Sequence, residues 1–158
     1  NEHYCLMKKK LISLLLTLLI LNNCGFSPIY SNTNKTNFSI KVAELKGDGN
    51  VNNLINSEIN RISNSSSDNK YEVKINTNFS KVVLSKDTKG IVSDYQIIIS
   101  TTFKIQKDGT SEVISFKEKQ NVKNINNRFS QKNYEKIIKR NFAISIVRKL
   151  NLHLLSKK

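Results

Sequence analysis

Reactive side chains are scarce in this chain. Its 158 residues include two cysteines, two histidines, one proline, one methionine and five glycines, and no tryptophan. The cysteines are Cys5 and Cys24, so nothing in residues 24–158 can form an intramolecular disulfide, even in an oxidising compartment. A fold built from that stretch must be held by its core alone. The histidines are His3 and His153, the latter near the end of the last apolar-periodic segment. Without a second histidine or a free thiol in the body of the chain, neither a Ser-His-Asp set nor a transition-metal site can be assembled. His153 is therefore read as a solvated residue or one that complements a helix C-terminus. No glycine-rich loop precedes a helix, which leaves no phosphate cradle. Asp87 and Asp94 flank a lysine-bearing turn and are read as turn-forming and ion-pairing residues rather than a carboxylate pair. These absences point to a binding or assembly protein, not an enzyme, with no metal and no diffusible cofactor.

What the chain does contain begins with an export pattern. The first methionine is Met7, and residues 1–6 are read as lying upstream of the start. Lys8, Lys9 and Lys10 form a positive segment, and Leu11 to Leu21 an uncharged apolar run. That run is too short for a spanning helix, which needs about 20 residues, and fits the ~7–15 of a signal core. Cys24 follows directly, with Leu21 three positions before it, where lipoprotein signals favour leucine. Asn23 departs from the small residue usual before the cysteine. The whole pattern predicts a lipoprotein signal over residues 7–23 and lipidation of Cys24; a thioether-linked diacylglyceryl plus an N-acyl chain suffices for stable anchoring. Gly25, after the cysteine, is not the Asp that favours inner-membrane retention, so the expected destination is the periplasmic side of the outer membrane.

The formal net charge is +14, and removing the three Lys and one Glu of residues 1–23 leaves 23 basic against 11 acidic residues. A basic balance usually indicates nucleic acid, anionic lipid or another polyanion. Export removes nucleic acid as the natural partner and leaves anionic lipid. Part of the excess is compositional, since 22 of the 26 basic residues are Lys in a chain rich in Asn, Ile and Ser.

Residues 24–37 read as a lipidated polar tether and 38–158 as one domain. Phe38, Ile40 and Val42 alternate with polar residues as in a half-buried strand. Gly47 to Asn50 is a turn, and Val51, Leu54, Ile55, Ile59 and Ile62 share one helical face, with Asp48 or Asn50 as N-cap. A second strand runs Tyr71, Val73, Ile75, Thr77, Phe79, and its pattern shifts at Lys81 to Leu84 as a bulge or strand end would. Ser85 to Val92 forms a turn. Tyr95, Ile97, Ile99, Thr101, Phe103 and Ile105 give a third strand, and Asp108-Gly109 a hairpin turn. Val113 to Val122 is a fourth, weakly patterned strand. Ser130 is a plausible cap for a long helix carrying Tyr134, Ile137, Ile138, Phe142, Ile146 and Leu150. The prediction is an α+β domain, a four-stranded sheet with two helices on one face in the order β-α-β-β-β-α.

Three stretches carry a family resemblance. Cys24-Gly25-Phe26-Ser27-Pro28-Ile29-Tyr30 resembles the Cys-Gly-Phe-x-Pro-Leu-Tyr opening of the LptE family of lipopolysaccharide-assembly lipoproteins. Ser93-Asp94-Tyr95-Gln96-Ile97 is similar to that family's small–acidic–Tyr–x–apolar segment after a basic turn. Ala143 to Leu150, with Arg148-Lys149-Leu150, resembles the end of its last helix. The resemblance implies a plug within a large outer-membrane β-barrel of the LptD type, needed for the barrel's assembly, that also binds lipopolysaccharide. It places the ligand at the turn before Tyr95, where Lys86 and Lys89 stand beside Thr88, the position that matches by spacing. Arg128 and Lys132 form a second basic pair, sharing the ligand if the fold brings the two segments to one end. Each of the four also has an ordinary reading as a solvated cation, whereas Tyr95 and the Ile97/Ile99 face read as core. A rival reading is an outer-membrane lipoprotein that scaffolds barrel assembly without touching lipopolysaccharide.

Cys24→Ala is expected to leave the domain folded and release it from membranes. Fractionation checks this: a variant that stays in the outer-membrane fraction, in cells lacking any barrel partner, contradicts the anchor.

Overall fold

A computed structural model of the protein describes residues 36–157. The predicted signal, Cys24 and the tether up to Lys35 lie outside the described residues. Six elements follow in the order expected: β1 (Ser39–Gly47), α1 (Gly49–Ile62), β2 (Lys70–Lys86), β3 (Val92–Lys107), β4 (Thr110–Lys123) and α2 (Arg128–Leu155). They form the α+β domain read from the sequence, a four-stranded sheet with spatial order β1-β2-β3-β4. β1 pairs parallel with β2, and the remaining pairs are antiparallel. A parallel pair needs a long crossover, and α1 supplies it; the antiparallel pairs need only the turns at 87–91 and 108–109.

The inward face of the sheet is a continuous apolar layer. On β3 the inward residues Tyr95, Ile97, Ile99, Thr101, Phe103 and Ile105 are all at most 2% exposed. Tyr71, Val73, Ile75 and Thr77 of β2 face the same way and are buried. Val51, Ile55, Ile59 and Ile62 of α1, and Ile138, Phe142, Ala143, Ile146, Val147, Leu150 and Leu154 of α2, cover this layer. Thr77 and Thr101, opposite each other and fully buried, satisfy one another through an Oγ1–Oγ1 hydrogen bond of 3.1 Å, so the two hydroxyls do not tax the core. The outward face is polar, with Asn76, Asn78, Ser100, Thr102, Ser115 and Asn121 in its middle rows and Lys117, Lys119 and Lys123 along β4.

Several boundaries differ from expectation. β1 continues past Val42 to Gly47, with a bulge between Val42 and Glu44. Of the two caps read for α1, Asp48 is the one used, its carboxylate accepting from the Val51 N–H at 2.9 Å. Asn127, not Ser130, caps α2; Ser130 instead gives its N–H to Asn127 Oδ1 at 2.9 Å. Of the bulge or strand end read at Lys81 to Leu84, the structure shows a bulge: the register shifts after Val83 and β2 runs on to Lys86. Tyr134 and Ile137 do not pack: Ile137 is 56% exposed, and the buried row of α2 begins at Ile138. Thr36, assigned by composition to the tether, is buried and bonds through its hydroxyl to the carbonyls of Phe38 and Ile62.

The late departures share a cause. At about 1.5 Å per residue the 28-residue α2 is roughly 42 Å long, twice the ~21 Å of the 14-residue α1. With one helix short, one end of the long strands and of α2 has no helical layer to complete a core. There, from Ser80 through Val92 and from Lys123 through Tyr134, buried residues are absent among those described.

Just before α1 the backbone passes close to β2. Gly47 has φ +89° and lies opposite Thr77, and a Cβ there would stand 1.9 Å from the Thr77 carbonyl oxygen. Gly90, in the β2–β3 turn, has a similar φ of +79° but open space around it. Gly47→Ala is thus expected to cost more than about 3 kcal/mol, against about 1 kcal/mol for Gly90→Ala. Urea midpoints compare them, and equal losses would mean that the contact with Thr77 is unimportant.

Candidate functional site

The four basic candidates all lie toward the uncovered end of the sheet. The turn at its tip is set by Asp87, whose Oδ1 accepts the N–H groups of Lys89 at 2.9 Å and Ile91 at 2.8 Å. Its own N–H bonds to the Ile91 carbonyl at 2.8 Å. This carboxylate satisfies the loop backbone from within, leaving Lys86 and Lys89 exposed on either side of Asp87. One step down the hairpin, Ser85 donates to Asp94 Oδ2 at 2.6 Å and lies 2.7 Å from the Ser93 hydroxyl. The hydrogen bonds from Ser85 and Ser93 hold the Asp94 carboxyl below its usual range. Asp87 and Asp94 therefore do turn-forming work, as read from the sequence, though Asp94 is hydrogen-bonded rather than ion-paired.

The start of α2 is pinned to the same hairpin. The Asn124 N–H bonds to the Ser93 carbonyl at 2.8 Å and its side-chain amide to the Val92 carbonyl at 2.9 Å. Gln131 reaches back to accept the Ile125 N–H at 2.8 Å. These ties bring Arg128 and Lys132, four apart on one helical face, to the end that holds Lys86 and Lys89. All four are exposed, and none makes an ion pair among the described residues. Thr88 sits at the tip of the turn. Cys24 lies outside the described residues.

Two features of this end escaped the sequence reading. The first is apolar. Val82 (46%), Val83 (48%), Leu84 (47%), Ile91 (57%) and Phe129 (74%) are exposed at this end, Val82 on the outward face of the sheet and Val83 on the other. Their patterning is neither period 2 nor 3.6, so no face could be assigned. The second is the anchor beneath them. Glu135 Oε1 accepts from Lys81 Nζ at 2.8 Å, the Tyr95 hydroxyl at 2.8 Å and Gln131 Nε2 at 2.7 Å, joining β2, β3 and α2 at one atom. Lys81 also lies 3.6 Å from the centroid of the Tyr95 ring. Tyr95 is thus core, as expected, with its hydroxyl held at the margin. Desolvation, reinforced by the Glu135 carboxylate, pushes that phenol well above its ordinary range. Desolvation opposes ionisation of Glu135 too, but the bonds from Lys81 and Tyr95 outweigh it and keep its pKa below the usual 4.5. Only long-range pairing reveals such a link, since Glu135 is 40 residues from Tyr95 and 54 from Lys81.

The opposite end carries His153, whose Nε2 is 3.2 Å from Glu112 of β4; Lys157 bonds to the same carboxylate. His153 stands in the last turn of α2, as read, and in an ion-pairing cluster that the sequence did not suggest.

No family model matches the chain, and no curated protein matches it by sequence. Solved structures do match by fold. They include rare lipoprotein B of Shewanella oneidensis (TM-score 0.55, 11% identity, covering 74% of this chain and 96% of that one). A lipoprotein of Caulobacter crescentus matches with TM-score 0.51 and 12% identity over 77% and 93% of the two chains. A minor lipoprotein of Acinetobacter baumannii matches with TM-score 0.50 and 14% identity over 75% and 94%. At such identities the likeness is one of fold, and these three proteins are bacterial lipoproteins by name.

The Glu135 link predicts a specific pH dependence. A carboxylate whose folded pKa lies below 4.5 adds stability that is complete above that value and fades as pH falls through the lower folded value. Glu135→Gln is expected to lose about 1–2 kcal/mol at pH 7, with the deficit shrinking as pH falls below 4.5 and through the lowered folded value. Denaturant titrations at several pH values test this. Parallel curves for the two proteins down to pH 3 would refute the assignment.

Proposed function

We propose that the protein is an outer-membrane lipoprotein, anchored through lipid on Cys24 at the periplasmic side, that seats within the lumen of an LptD-type β-barrel, helps that barrel assemble and binds lipopolysaccharide. The observation that carries the ligand half of this reading is the uncovered end. Lys86, Lys89, Arg128 and Lys132 lie toward it, as do the exposed Val83, Leu84, Ile91 and Phe129, a combination suited to an anionic amphiphile. The cations would meet phosphates through charge-assisted contacts, and the apolar residues would meet acyl chains. Exposed apolar residues and unpaired cations at the same end of a domain favour an interaction surface.

The barrel half of the reading is supported by the outward sheet face. Its neutral amide and hydroxyl rows and its lysines suit the polar lumen of a large barrel better than a hydrophobic interface. The fold neighbours, all lipoproteins by name, support the anchored setting. The protein then works as a binding and assembly factor, with no catalysis and no cofactor beyond the lipid. The polar face equally favours the scaffold reading, in which a barrel is engaged but lipopolysaccharide is not.

Lys86→Glu with Lys89→Glu is expected to weaken lipopolysaccharide binding by about tenfold, an effect that shrinks as salt rises. Unchanged affinity across the salt series would exclude both lysines from the site. Affinity purification of the tagged, lipidated protein should recover a large barrel. Barrel without lipopolysaccharide affinity would select the scaffold, and no barrel at all would end the plug reading.

A further inference from the structure

A second basic feature lies away from the hairpin tip, in the groove between the two helices. Asn50 and Leu54 of α1 and Lys132, Glu135, Lys136 and Lys139 of α2 line a concavity of about 350 Å³. That is close to the small end of ligand pockets, room for one head group rather than a large ligand. Its walls are charged and its floor is the half-buried Leu54. The groove opens where α1 begins, and the first turn of α1 carries no acidic residue. The positive end of the helix dipole lies there too, capped by the Asp48 carboxylate, so the lysines carry the groove's net charge.

The acidic groups facing the groove are already engaged. Asp48 Oδ1 holds the Val51 N–H, and its Oδ2 is 3.8 Å from Lys139 Nζ. Glu135 is turned toward β2 and β3, where it accepts from Lys81, Tyr95 and Gln131. Lys139 is further fixed over the Phe79 ring, 3.8 Å from its centroid, which orients its ammonium without neutralising it. Lys132 and Lys136 make no ion pair among the described residues. Three ammonium groups (Lys132, Lys136, Lys139) and one carboxylate (Glu135) line the groove; with Glu135 matched by Lys81 and Lys139 by Asp48, Lys132 and Lys136 remain as an excess of two positive charges. That excess matches a phosphomonoester, which carries about −1.5 to −2 at neutral pH.

From the lysine triad, the helix start and the apolar floor, we infer that the inter-helix groove is a binding site for a phosphomonoester borne on an apolar body. Lys136 and Lys139 take the phosphate oxygens, with Asn50 and the start of α1 on one side. Leu54 takes the first carbons of the attached chain. The site is distinct from the hairpin tip and does not depend on the function proposed there; Lys132 alone lies close to both.

The experiment is isothermal titration of the full chain in phosphate-free detergent with two probes, inorganic phosphate and dihexanoyl phosphatidic acid. Saturable binding of both is expected, at least tenfold tighter for phosphatidic acid. Lys136→Gln with Lys139→Gln should weaken phosphatidic acid binding at least tenfold. A charge-matched control, Lys117→Gln with Lys119→Gln on the outward sheet face, should stay within twofold. Because Lys139 touches Asp48 and Phe79, Asn50→Asp provides a variant with no such structural cost. Its new carboxylate at the start of α1 should raise the thermal midpoint and still weaken binding at least threefold, opposite signs that a merely structural role would not produce. Equal losses in the groove pair and the control pair would reduce the effect to bulk charge and overturn the site. So would unchanged affinity in Asn50→Asp, and equal affinity for the two probes would overturn the apolar part of the ligand. Lys86→Glu with Lys89→Glu should leave groove affinity within threefold, so the tip and groove readings can fail separately.

Discussion

The inward row of β3 is the constraint on which the domain depends. Six consecutive inward positions, Tyr95 to Ile105, are almost completely buried, and both neighbouring strands and both helices are organised about them. With no disulfide available, the apolar area removed from water along this row and its cover supplies most of the driving force. A chain in this position cannot spread its core evenly. α1 is only half as long as α2, so the covered part of the sheet is short and the remainder is held by polar ties. The Glu135 carboxylate is the chief of these, because three elements converge on one of its oxygens.

That division explains which parts could be read from the sequence. Where a strand has one buried and one wet face, alternation is enforced, and β3 and the first half of β2 were legible on that basis. Past Phe79 both faces of β2 are exposed, so burial no longer selects residue type and Val82-Val83-Leu84 breaks the alternation while the backbone ladder continues. The same reasoning covers Tyr134 and Ile137, apolar at helical spacing yet beyond the point where α2 meets the sheet. β4 looked weak because its inward row contains Glu112, Glu118 and Gln120. Glu118 answers Ser145 and Lys149 of α2, both at 2.7 Å, and Glu112 answers His153 and Lys157. Partners more than 25 residues away leave no periodic trace. The cap at Asn127 was missed for a local reason: several polar residues precede α2, and only backbone geometry chooses among them.

The motifs that carried the family resemblance have structural work of their own. Asp94 secures the hairpin neck through Ser85 and Ser93, and Tyr95 passes its hydroxyl to Glu135. In Arg148-Lys149-Leu150, the leucine is fully buried and the lysine pairs with Glu118 of the sheet, leaving Arg148 exposed. Short motifs of this sort report that a fold is being maintained. The candidate ligand residues, by contrast, are solvated side chains whose identity the backbone does not dictate. This is why the architecture could be argued from the sequence further than the site could.

An end built from polar ties instead of a core has a dynamic consequence. Local opening there exposes little additional apolar surface, because Leu84, Ile91 and Phe129 are exposed already, so its free energy should lie well below that of global unfolding. A ligand that bridges Lys86 or Lys89 on the hairpin and Arg128 or Lys132 on the helix would add contacts across the segments that Glu135 and Asn124 join. Binding would then stiffen the hairpin against α2. Adaptability before binding and order after it would suit the amphiphile-binding role proposed for this surface, whereas the same looseness beside Ile99 and Phe103 would cost the core its packing. The position of the candidate site thus follows from where the core stops.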